Sequence, residues 1–205
     1  MSELRMFVAR VPAVLCLLAA GCLGLSREYP EKHEFVLEAP AHGEAKGIPA
    51  QGVLRVNIFR VGPIYEQNEL VRRTGDVEYE ADFYNEWFVP PGAMLTSAFG
   101  DWLRGAGVFA HVITAATGAD ATVALGGLVT ALYGDYRTEQ PKAVLGVEVG
   151  LVSEDAAPRI LLQRSYRKEV EIPNQSAEAL VRGLNEALRL ILVDLEADLR
   201  KLPAE

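Results

Sequence analysis

Thiols are almost absent from this chain, whose 205 residues hold two cysteines, Cys16 and Cys22. Histidine is as scarce: His33, His42 and His111 are the whole set, and none stands four residues from another or beside a carboxylate pair in a metal-binding spacing. No zinc site and no disulfide framework is therefore expected. Basic residues are outnumbered, 20 against 28 acidic, and a formal net charge of −8 leaves no electrostatic footprint for nucleic acid. There is no G-x-S-x-G elbow, and Gly126-Gly127 lacks the further glycines and the lysine of a phosphate loop. Beyond residue 22 no stretch approaches 18 consecutive apolar residues, so no later segment is a candidate membrane span. These absences point away from catalysis and from any bound cofactor.

What is present begins at the N-terminus. Arg5 and Arg10 precede an apolar run from Val11 to Ala20, and Ala19, Ala20 and Gly21 lead into Cys22. Charge, apolar run and small residues in that order make a secretory signal peptide. The run is about half of the roughly 20 residues that a spanning helix needs. Small residues ending at cysteine resemble the bacterial lipobox, in which cleavage falls between Gly21 and Cys22 and the cysteine carries the acyl chains. Cys16 competes poorly, because it follows the bulky Leu15 inside the apolar run. The plainer alternative is an ordinary signal peptide with an incidental Cys22. Three segments follow: a leader over 1–21, the lipidated cysteine with a polar tether over 22–32, and one domain over 33–205. With one cysteine left, the exported protein has no intramolecular disulfide, and packing must stabilise it.

Along the domain, His33 to Glu38 reads as a short strand and Ala39 to Gly52 as a loop rich in Ala, Gly and Pro. Val53 to Val61 is β-branched and partly alternating, and Gly62-Pro63 ends it. Glu69 to Thr74 and Asp76 to Phe83 predict a hairpin whose second arm sets Val77, Tyr79, Ala81 and Phe83 on one face against Asp76, Glu78, Glu80 and Asp82. Met94, Leu95, Ala98, Phe99, Trp102 and Leu103 recur at helical spacing, with Pro90-Pro91 before them and Gly105 and Gly107 to stop the helix. Val108 to Thr114, Ala121 to Tyr136, Ala143 to Val152 and Arg159 to Ile172 predict four more strands, the second bent or bulged at Gly126-Gly127. Ser176 caps a final helix whose stripe runs from Leu180 to Leu199. That stripe either packs wholly on the protein's own sheet or leaves its end for a partner. The expected fold is α+β, a mainly antiparallel sheet with two principal helices on one face.

Candidate chemistry is thin. The acidic residues from Asp76 to Asp82 are explained by alternation as a solvated face. Tyr79, Phe83, Tyr84, Trp87 and Phe88 sit among acids, which makes them a poor stacking platform for nucleic acid and core residues on first reading. Arg72-Arg73 is the candidate for a partner or phosphate-headgroup contact, against the simpler reading of basic residues that guard an exposed sheet edge.

The chain resembles the ABC-type transport auxiliary lipoprotein family over nearly all of its exported length. The resemblance rests on the lipobox at Cys22, on HEFVLE, on VLRVNIFRVGPIYEQNELVRRTGDVEYEADFYNEWFVPP before an amphipathic helix, and on ADATVALGGLVTALYGDY, PKAVLGVEVGLV and the leucine-rich last helix. LVRRTGDVEYEADFYNEW is the most specific piece. The chain departs from the pattern at His33 and Glu34, where aromatics are usual, and at VPPG after Trp87. The resemblance implies a non-enzymatic envelope component that works with a transporter permease and an Mce-type substrate-binding protein, with homo-oligomers in some members. Leu23 after Cys22 is not the aspartate that retains lipoproteins at the inner membrane, so the outer membrane is implied. A different class, an outer-membrane lipoprotein regulator of a peptidoglycan synthase, shares anchor and domain type; crosslinking to a penicillin-binding protein would distinguish it. A lipid-anchored hydrolase would need a nucleophile and base that the sequence does not display.

Overall fold

The alternation of Ala143 to Leu151 and the leucine stripe of the last helix become one strand and one helix packed face to face. The structure, a computed structural model, describes residues 31–40, 42, 50–114 and 118–202, without the side chains of residues 50 and 51. The leader, Cys22 and the tether as far as residue 30 lie outside the described residues, as does most of the loop read at Ala39 to Gly52.

Elements run in the order β1 (His33–Phe35), β2 (Ala50–Val56), β3 (Arg60–Val61), β4 (Glu69–Arg73), β5 (Tyr79–Trp87), α1 (Pro91–Ala106), β6 (Phe109–Thr114), β7 (Val123–Asp135), β8 (Lys142–Ser153), β9 (Ile160–Glu171) and α2 (Ala177–Leu199). All described strands join one sheet built around β7. One edge of β7 pairs with β8, which pairs with β9. Its other edge takes β2, β3 and β4 one after another, at Leu54↔Val123, Arg60↔Leu128 and Arg72↔Gly134. The strand read at Val53 to Val61 is therefore broken at Asn57–Phe59 and resumes in line along the same neighbour. β6 lies outside β2, while β5 and then β1 lie outside β4.

Among the described residues, five of the eight strand pairings are parallel. The expectation of a mainly antiparallel sheet is thus corrected to a mixed, mostly parallel one, although the longest ladders, β7/β8 and β8/β9, are antiparallel. The physical reason is that period-2 alternation reports which face is buried and carries no strand direction. Direction is set by connections. Between β2 and β4 the chain steps along β7 without turning back, and α1 carries the chain from β5 on one side of the sheet to β6 on the other, so that β6 runs parallel to β2 and opposite to β5.

Both helices cover one face. Gly183 of α2 approaches β8 so closely that a Cβ there would stand 2.6 Å from the Cβ of Ala143. Val149, six residues further along the same strand and so on the same side, is the partner of Gly127, over which the ring of Phe59 lies. Phe59 in turn meets Phe99 of α1, with ring centroids 4.4 Å apart. The stripe of α2 is buried from Leu180 to Leu199, so it packs on the protein's own sheet. Ser176 caps this helix by accepting from the Ala179 N–H at 3.2 Å. Arg200 and Lys201 follow the helix and pair back to Glu196 and Asp198.

The glycine pair does not bulge β7. Gly126 and Gly127 sit in continuous register with Gly150 and Val149, and the shift falls between Val129 and Ala131. Gly127 instead makes room: a Cβ there would fall inside the Phe59 ring. Phe59 is 2% exposed, and its N–H donates to Thr96 Oγ1 at 2.9 Å, which satisfies the backbone where the strand breaks. Thr96 Oγ1 donates onward to the Gly92 carbonyl at 2.6 Å. Gly127→Ala is expected to cost about 1–3 kcal/mol through overpacking and Phe59→Ala about 3–5 kcal/mol through the cavity it leaves. Urea unfolding of both single variants and the double variant checks the contact: the double variant should cost clearly less than the two singles together, and simple additivity would refute it.

Candidate functional site

The segment after β1 crosses the helix layer as a strap. Leu37 is buried and its N–H donates to Met94 Sδ of α1 at 3.2 Å, while the Glu38 N–H donates to Asn185 Oδ1 of α2 at 3.1 Å. Further on, His42 Nε2 lies 2.8 Å from Glu196 Oε2 of α2, and Trp102 Nε1 of α1 donates to the same oxygen at 3.1 Å. The His42 and Trp102 rings meet edge to face at 4.8 Å. The other oxygen of Glu196 accepts from Arg200 Nε and Nη2, and Arg200 Nη2 also donates to the Ala106 carbonyl at 2.7 Å. Glu196 therefore joins strap, α1 and α2. Burial pushes its carboxyl upward, but the bonds from Arg200, His42 and Trp102 outweigh burial and hold it below the usual glutamate range.

A cleft lies on each side of the strap. One of about 580 Å³ opens between Val36–Pro40 and α1, and one of about 500 Å³ lies between Pro40, His42 and the α2 residues Arg189, Val193 and Ala197. Neither holds the residue constellation of a known reaction. Among the described residues no group of three or more His, Cys, Asp or Glu side chains could hold a metal ion, and no helix is long and apolar enough to cross a membrane.

Gly21 and Cys22 lie outside the described residues. Arg72 and Arg73 are adjacent on β4 but point to opposite faces. β4 is flanked by β5 and β7, so the reading of an exposed edge guarded by these arginines is corrected. Both are half-buried and held by their own chain. Arg72 faces Glu80 and Asp82 at 3.9 Å each. Arg73 donates to the Gly75 and Asp76 carbonyls and lies 5.4 Å from the Tyr79 ring. Around them, Arg137 grips Asp135 with two bonds of 2.9 and 2.7 Å, and that hydrogen bonding holds the Asp135 carboxyl low. Tyr65 stacks on Tyr133 at 6.0 Å; burial first, then Tyr79 and Tyr133, pushes its hydroxyl up to about 12. The three histidines stay on separate elements, β1, strap and β6.

The aromatic run departs furthest from its reading. Trp87 is buried, but Phe83 is 65% and Phe88 63% exposed, with Tyr84 and Val89 also outward. Val77, expected on the covered face, is 94% exposed in the turn before β5. The spacing held the signal. Phe83-Tyr84 and Trp87-Phe88 are neighbours on a strand, so one of each pair must face away from any single core.

The sequence matches a family described as the ABC-type transport auxiliary lipoprotein component over residues 35–195. No curated protein matches the chain significantly. Among solved structures, a Xanthomonas campestris protein of the family DUF330 superposes with a TM-score of 0.70 at 16% identity, covering 80% of this chain and 92% of its own. An uncharacterised protein superposes with a TM-score of 0.65 at 18% identity, covering 82% of this chain and 98% of its own. At these identities the likeness shows a shared fold.

The clasp on Glu196 has a pH signature. Its lowered carboxyl contributes stability that is complete above the ordinary value of 4.5 and is lost as pH falls through the lower folded value. Glu196→Gln is expected to be less stable than the parent at pH 7, with the gap narrowing between pH 5 and pH 3. Urea midpoints at pH 7, 5 and 3 measure it, and a gap that does not change with pH would contradict the assignment.

Proposed function

The chain belongs to the ABC-type transport auxiliary lipoprotein family, and on that premise we propose that it is a non-catalytic docking module of an Mce-associated lipid transport system, anchored through Cys22 to the outer membrane and facing the periplasm. The family match over residues 35–195 carries this reading. The leader ending in Ala19-Ala20-Gly21-Cys22 supports it, because acyl chains on Cys22 hold the domain at a membrane surface. Its partners are a permease and an Mce-type substrate-binding protein. Its contribution is geometric: a tethered domain meets a partner fixed opposite at a raised effective concentration, without further contact energy. Assembly of several copies belongs to the same reading.

Cys22→Ala is expected to move the protein from the membrane fraction to the soluble periplasmic fraction; retention without detergent would contradict the anchor. Mild-detergent capture of the intact protein after crosslinking in cells is expected to recover permease and Mce-type components. Recovery of a penicillin-binding protein in their place would overturn the transporter assignment.

A further inference from the structure

The outward aromatic run lies where the tether enters the domain. Lys32, the tether's last residue, places its ammonium 5.0 Å from the Phe83 ring centre and pairs with Glu86 at 2.8 Å. Phe83 meets Tyr84 edge to face at 5.2 Å. Five residues along, past the irregularity over Phe83–Asn85 where β5 shifts register against β4, the Phe88 N–H donates to the Phe35 carbonyl of β1. Val36, the residue after Phe35, and Val89 are exposed at the same corner and line one cleft. The result is an apolar margin along β5 and β1, the outer strands of one side of the sheet.

We propose that this margin, Phe83, Tyr84 and Phe88 with Lys32 beside them, rests on the zwitterionic phospholipid surface that holds the anchor. The proposal depends on the Cys22 anchor of the preceding reading. Ten residue-to-residue steps lead from Cys22 to Lys32, so the domain's entry corner stays within about 33–36 Å of the acylated cysteine however the tether runs. The corner held closest to lipid is thus the one that exposes large aromatics. Phenyl and phenol rings with a lysine that reaches past them are the side chains that favour the headgroup boundary. Charge selects the kind of lipid. Glu34 on β1 and Glu80 and Asp82 on β5 share strands with the margin, the latter two facing Arg72, and a chain of net charge −8 is repelled by an anionic surface and indifferent to a zwitterionic one.

The intact lipidated protein offers a clean test, because acylation blocks Cys22 and Cys16 leaves with the leader. Phe83→Cys, Phe88→Cys and, on the opposite side of the sheet, Ile160→Cys each add a single free thiol at an exposed position. Each is labelled with an environment-sensitive fluorophore and reconstituted in phosphatidylcholine–phosphatidylethanolamine vesicles carrying a headgroup-level spin label. Quenching at 83 and 88 but not at 160, declining as anionic lipid is added at low salt, is the expected result. Flotation of all three variants without quenching at 83 and 88 overturns the seat and leaves the anchor standing, as does equal quenching at all three. Shielding that grows only with protein density on the vesicle means a second copy covers the margin, and also overturns it. Failure of the unlabelled parent to float overturns the anchor and this proposal together.

Discussion

The two edges of β7 carry different structures, and the fold depends on keeping both in register. Along one edge the ladder to β8 is nearly continuous, while along the other β2, β3 and β4 take turns. A strand interrupted in the middle of a sheet leaves backbone groups without ladder partners, and buried groups of that kind are expensive. Phe59 closes the gap. Its ring fills the space over Gly127, its N–H finds Thr96, and its neighbour Asn57 donates from its own N–H to the Leu125 carbonyl at 2.8 Å. The break thereby becomes the point at which α1 locks onto the sheet, and the direction of β4, β5 and β1 beyond it follows.

The second constraint is the strap. Residues 36–40 and 42 lie over the layer that α1 and α2 form, with Leu37 sunk into it and Glu196 receiving bonds from three directions. A segment pinned between two helices transmits the position of whatever precedes it. What precedes it is β1, so that strand is coupled to the helix layer through short hydrogen bonds as well as by covalent connection.

Much of this was legible beforehand. Alternation located β7, β8 and β9 to within a residue or two, and the 3.6 period located both helices, including the serine cap and the Gly107 stop. Strand direction was not legible, because alternation is blind to it. Nor was the break at Asn57–Phe59: Ile58 and Phe59 are equally suited to a continuous strand, and the contact that seats Phe59, with a glycine some seventy residues away, is tertiary. Gly126-Gly127 drew attention as punctuation, whereas the structure uses Gly127 as room for a ring. The aromatic run was misjudged for a related reason. Tyr79, Ala81 and Phe83 alternate as core residues do, but β5 lies outside the helices' cover, so the same pattern faces water. Chemistry at Glu196 could not be read at all, since its partners His42 and Trp102 are 154 and 94 residues distant in sequence.

The function we propose makes position, more than any reaction, this protein's contribution. Complementation of a deletion strain tests it most directly, using three forms: the native lipoprotein, a soluble periplasmic form, and a form carrying the leader, cysteine and tether of an unrelated outer-membrane lipoprotein of equal tether length. The account predicts that the foreign anchor restores envelope barrier function as fully as the native one and that the soluble form does not. Full restoration by the soluble form would contradict it.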